Sequence, residues 1–151
     1  MGFEEIKTKI DINRSLLAVT FTIFVLIITL DANLLKENIY LTIQLPATIP
    51  LLIVSIFSRS KVSGSRKPHL WEGLSYIGFI VGYSFLINII GIILFDKVSM
   101  LASTIFFLIN IITEAIYSAI SILDGTDIKK RLLKDIIFFS IIFFGGIIPL
   151  F

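Results

Sequence analysis

One carboxyl lies deep in an apolar run: Glu114, within the stretch VSMLASTIFFLINIITEAIYSAISIL of residues 98–123. An ionisable side chain at such depth in a membrane helix is costly, so by default it reads as part of an ion or substrate path. Its neighbours strengthen the reading. At about 100° per residue, Ser99, Ser103, Asn110, Glu114, Tyr117 and Ser121 share an arc of roughly 60°, while the rest of the stretch is almost wholly Ile, Leu, Phe and Ala. No Lys or Arg is expected at the same depth. The carboxyl is therefore expected to lack a salt-bridge partner, to favour its protonated form and to hydrogen-bond Asn110, Tyr117 or a hydroxyl. A protonatable acid in a polar seam suits the passage of a proton or a monovalent cation and suits an anionic substrate badly. The competing reading is a hydrogen-bonding contact between helices, which contributes about 0.6 kcal/mol on average.

Weaker polar lines run along other apolar stretches. Gln44, Thr48 and Ser55 share one helical face, Ser84, Asn88 and Gly91 another, and Ser15, Thr22 and Thr29 a third. Gln44 and Asn88 are the stronger candidates for a path, because a primary amide has several hydrogen-bonding sites to satisfy whereas a lone hydroxyl often bonds its own backbone. Gly78 and Gly82 form the small-xxx-small spacing that lets two helices approach closely, within one chain or between copies. Pro46 and Pro50 each remove a backbone donor, so a kink or local unwinding is expected between them, tolerated at membrane depth against protein or a wet cavity.

Other chemistries find little to build on. The chain has no cysteine, which excludes disulfides, thiolate metal sites and thiol redox chemistry. Its one histidine, His69, sits in a basic loop, so no metal centre or cofactor is expected. Paired aspartates, HExxH and a Walker loop are absent, and one deep carboxylate makes no nucleophile and base pair; no enzymatic activity is expected. The basic residues are not interleaved with aromatics on one surface, so nucleic acid is not an expected partner. Membrane lipid is, together with a further copy of the chain or a partner membrane protein. Two functions remain: a small cation- or proton-conducting channel or carrier, and a non-catalytic accessory subunit of a larger membrane complex.

The elements that must position these residues follow from composition. Apolar residues make up 56% of the 151 and charged residues 16%, and the mean hydropathy is +1.00, far from a water-soluble domain. The apolar residues fall in runs near the length that crosses a bilayer, about 20 residues. The expected fold is an all-α integral membrane bundle of about five transmembrane helices in one domain, 15–151, with spans over 15–30, 39–57, 70–95, 98–123 and 132–151. Residues 1–14 are charged, and Phe3, Ile6 and Ile10 at helical spacing allow a short interfacial helix there. Lys134 and Asp135 fall inside the last span and are expected to snorkel to the interface.

Sidedness is read from the basic residues. Lys7, Lys9, Arg14, Arg59, Lys61, Arg66, Lys67, Lys129, Lys130, Arg131 and Lys134 fall on one side, against Lys36 and Lys97 on the other, which accounts for all 13. The asymmetry places the N-terminus in the cytoplasm and the C-terminus outside a cell membrane. Trp71 begins the third span as an interfacial anchor, and the basic loop before it is expected to meet anionic head groups.

Overall fold

A computed structural model describes residues 3–151, with the backbone alone for Phe3, Glu5, Ile6 and Ala32. The described residues form helices and short connections, with no strand. Five segments are long and apolar enough to cross a membrane: Lys7–Leu30, Ile39–Gly64, Pro68–Lys97, Met100–Leu123 and Ile128–Leu150. The sequence expectation of five apolar spans holds at that level.

Helix α1 (Phe3–Leu30) is continuous. The interfacial helix expected over the first residues is its opening turns, since no Gly or Pro interrupts the chain there. Ile10 on this stretch is half-buried, while the side chains of Phe3 and Ile6 lie outside the described residues. A short α2 (Ala32–Glu37) leads into α3 (Ile39–Lys61). Asn38 caps α3, its side chain accepting hydrogen bonds from the backbone N–H of Tyr40 and Leu41 at 3.1 and 3.2 Å. Pro46 and Pro50 lie inside α3 and the helix runs through both, so the local unwinding expected of them does not occur.

The described chain divides into two compact units, one up to Leu86 and one from Ile87. In the first, α3 presents a buried stripe of Leu41, Gln44, Leu45, Thr48, Leu52 and Ser55, the i, i+3, i+4 recurrence of one helical face. Against it α4 (Pro68–Lys97) lays its glycines: a Cβ on Gly78 would stand 3.0 Å from the carbonyl of Leu51, and one on Gly82 3.1 Å from Leu52 Cδ2. The small-xxx-small pair thus serves close packing within the chain. A polar knot ties α1 to the same place: Asn13 Nδ2 donates to Ser55 Oγ at 2.7 Å, Ser55 Oγ to the carbonyl of Ser75 at 2.8 Å, and Ser75 Oγ to the carbonyl of Ser55 at 2.9 Å. Each of the three side chains in that knot makes a hydrogen bond, as burial in an apolar bundle requires.

The second unit takes the last part of α4, then α5 (Met100–Leu123) and α6 (Ile128–Ile142). Ser99 caps α5, its Oγ accepting from Ala102 N–H at 3.1 Å, so it serves the helix end and not a seam. Gly125, at φ +91°, takes the left-handed turn between α5 and α6 that a side chain would strain. After Ile142 the chain does not continue as the regular helix expected to 151: a π turn covers Phe143–Ile147 and a 3-10 turn Ile148–Leu150. At this turn the amide oxygen of Asn88 and the ring of Phe107 stand where a Cβ on Gly146 would be, the ring 2.8 Å from that position, and the same ring fills the space beside Gly91 of α4. Ser103 Oγ donates to the carbonyl of Gly91 at 2.8 Å and Asn88 Nδ2 to the carbonyl of Ile141 at 3.0 Å. Two glycines and one phenylalanine therefore set how closely α4, α5 and the last segment approach.

Candidate functional site

The tight turn between α5 and α6 folds them into an antiparallel hairpin, and Asp127 starts α6 by accepting a hydrogen bond from Lys129 N–H at 2.9 Å. Arg131, Lys134 and Asp135, at i, i+3 and i+4, then share one face of α6, as Glu114 and Ser118, at i and i+4, share one face of α5. These faces meet. Arg131 Nη2 donates to Glu114 Oε1 at 2.7 Å, and Lys134 Nζ donates to the same oxygen. Arg131 Nε donates to Ser118 Oγ at 2.7 Å, and Ser118 Oγ donates in turn to Asp135 Oδ2. The other oxygen of Asp135 lies 3.6 Å from Arg131 Nε and accepts no hydrogen bond among the described residues. Below the cations lies the ring of Tyr117, 4.5 Å from the guanidinium carbon of Arg131 and 5.3 Å from Lys134 Nζ, within cation–π range.

The network is sheltered: the side chains of Arg131, Asp135, Lys134 and Glu114 are 7, 12, 13 and 14% exposed. Two carboxylates face two cations, so it is formally neutral. Glu114 stands about 14 Å from the Leu123 end of α5 at roughly 1.5 Å per residue, well inside a span of bilayer length.

The chain matches no protein-family model, no characterised protein and no solved structure. Its function must therefore be read from this geometry.

The expected isolation of Glu114 is overturned. It has two cationic partners in the chain, so the argument that an unpaired acid is held neutral loses its premise. Lys134 and Asp135, expected to snorkel outward, turn onto α5. A charge inside an apolar segment that finds an opposite charge on a neighbouring helix offsets part of the desolvation cost that would otherwise send it to the interface. Of the seam residues, Tyr117 joins the network through its ring and is 57% exposed. Asn110 donates to the carbonyl of Phe106 in its own helix at 2.8 Å, and Ser103 to Gly91 as described, so neither bonds Glu114. Ser121 is half-buried, one turn beyond Tyr117. Asn88 belongs to the packing of α4 on the last segment, and Gln44 to the buried stripe of the first unit.

Sequence reasoning missed Arg131, Ser118, Lys134 and Asp135 as one group. The buried residues of α5 are Ser103, Phe107 and Ser118; at about 100° per residue Ser118 lies roughly 40° beyond the arc drawn through Glu114. The true inner face is rotated toward Ser118, which strands Tyr117 at its edge. A signal was present: reflected through the turn at 124–127, Glu114 falls one helical turn past Lys134, within reach of a long basic side chain.

Chemically, the arrangement is a charge-balanced cluster in which Arg131 stands between two carboxylates: one Glu114 oxygen accepts from both Arg131 and Lys134, and one Asp135 oxygen accepts no hydrogen bond among the described residues.

Proposed function

We propose that the chain is a small multi-pass protein of the cell membrane that conducts or carries protons or a monovalent cation, with the α5–α6 charge network as the element that responds to the ion. One observation supports this reading above others: four ionisable side chains joined through Ser118 and Tyr117 within two apolar segments of spanning length. Such groups are costly in hydrocarbon and characteristically mark ion paths and proton relays. An arriving proton or cation competes with Lys134 and Arg131 for Glu114, and the displaced guanidinium closes on Asp135. The basic loops face the cytoplasm in this reading, with the C-terminus outside. Association with further copies supplies whatever walls of a path one chain lacks.

The test is flux through vesicles containing the purified chain, read with an enclosed pH dye under an imposed potential. Glu114→Gln keeps the size and the hydrogen-bonding oxygen while removing the charge, and is expected to lower flux about tenfold, equivalent to about 1.4 kcal/mol. Unchanged flux in the variant refutes the role of Glu114.

The neutrality of the network favours a second reading, a non-catalytic accessory subunit in which the same contacts lock the hairpin and no ion is needed. Absence of any flux from the intact chain, with the network still required for its stability, would favour that reading.

A further inference from the structure

Where the basic loop enters α4 the surface carries a shallow groove of about 390 Å³ lined by Ser65, Arg66, Lys67, Leu70, Trp71 and Leu74. Its two ends differ in chemistry. At the loop end Ser65 Oγ accepts from Lys67 N–H at 3.1 Å, and the carbonyl of Lys67 accepts from Leu70 N–H at 3.2 Å, which ties the two exposed cations to the first turn of the helix. At the other end Leu70 and Leu74 are 58 and 46% exposed, and Ile77, 52% exposed, continues their line along α4. With successive side chains about 100° apart, Leu70, Leu74 and Ile77 fall within roughly 60°, Trp71 flanks them, and Glu72 points to the opposite side. No carboxylate lines the groove.

We propose that this groove holds a phospholipid with an anionic head group, its phosphate on Arg66 and Lys67 and one acyl chain along Leu70, Leu74 and Ile77. Charge complementarity selects the head group, since each basic residue at an anionic membrane surface contributes about fivefold in affinity. The apolar half selects a lipid over free phosphate, because exposed leucines running into a spanning helix match a hydrocarbon chain and offer a soluble anion nothing. Trp71 sits between the two halves, at the level of the head groups where amphipathic rings concentrate.

Trp71 is the sole tryptophan, so its fluorescence reports on this place alone. The full chain is reconstituted in phosphatidylcholine vesicles into which phosphatidylglycerol or phosphatidylcholine with brominated acyl chains is titrated. Brominated phosphatidylglycerol is expected to quench Trp71 with a relative binding constant about 25-fold above that of brominated phosphatidylcholine, about fivefold for each of the two basic residues. The double variant Arg66→Gln, Lys67→Gln is expected to bring the two lipids to parity while quenching by phosphatidylcholine persists, which shows that the helix is still in place. Lys61→Gln, an exposed neighbour outside the groove, is expected to keep the preference. Equal quenching in the intact chain, a preference that survives the double variant, or an equal loss in Lys61→Gln overturns the assignment. So does a preference abolished by millimolar inorganic phosphate, which would make the site one for the free anion.

Discussion

Replacing Arg131 by Met tests the charge network most directly, because Arg131 serves both carboxylates whereas Lys134 serves one. Its guanidinium reaches Glu114 at 2.7 Å and Ser118 at 2.7 Å, and stands 3.6 Å from Asp135. Met keeps most of the apolar stem, so lost volume contributes little. Without Arg131, Asp135 loses its cation in the network and Ser118 its donor, while Glu114 keeps Lys134. Stranding a buried charge in this way costs about 3–5 kcal/mol. Lys134→Met leaves Glu114 paired with Arg131 and removes one charge-assisted bond, about 1.5–3 kcal/mol. Arg131→Met is therefore expected to be the more destabilising of the two. Adding Asp135→Asn to it should restore part of the loss, with a coupling of at least about 1 kcal/mol. Reversible unfolding by SDS in mixed micelles, followed by helical circular dichroism, measures the parent, the single variants Arg131→Met, Lys134→Met and Asp135→Asn, and the double variant. Raised salt should leave the differences in place, since sheltered pairs are screened weakly. An Arg131→Met variant within about 0.5 kcal/mol of the parent, or one equal to Lys134→Met, would refute the network as described.

The same unfolding assay reads two further variants. Gly91→Ala puts a methyl group into the ring of Phe107 and is expected to cost about 1–3 kcal/mol, part of it recovered by adding Phe107→Leu; no loss would mean that the two helices do not meet there. Ser55→Ala removes the acceptor for Asn13 and the donor to Ser75, an expected loss of about 1–3 kcal/mol, whereas Ser60→Ala on the exposed side of α3 should stay within about 0.5 kcal/mol. Equal effects of the two serines would count against the polar knot.

Much of the fold was legible because it rests on short-range pattern. The apolar runs over 39–57, 70–95 and 98–123 placed the ends of α3, α4 and α5 to within a few residues, since polar residues that cap or turn the chain on their own lie at their borders. The close contact at Gly78 and Gly82 was likewise readable from spacing. What escaped was the pairing of charge. Lys134 and Asp135 look, one segment at a time, like groups that must escape to water; on a neighbouring helix stand the residues that satisfy them. The π turn at Phe143–Ile147 escaped for a similar reason: Gly145-Gly146 permits it, but the ring of Phe107 and the side chain of Asn88, on other helices, are what Gly146 accommodates.

Hydropathy is a property of consecutive residues, so length and order of the apolar segments, and the presence of one acid in the middle of the fourth, were settled along the chain itself. Which way that acid faces, and what it meets, depends on the rotation of α5 about its own axis against α6. A shift of roughly 40° exchanges Ser118 for Tyr117 on the inner face. Such a rotation leaves the burial of apolar side chains nearly unchanged in a helix that is apolar almost all round. It is chosen by a few close contacts between helices: Glu114 with Arg131 and Lys134, Ser118 with Asp135, and Phe107 against two glycines.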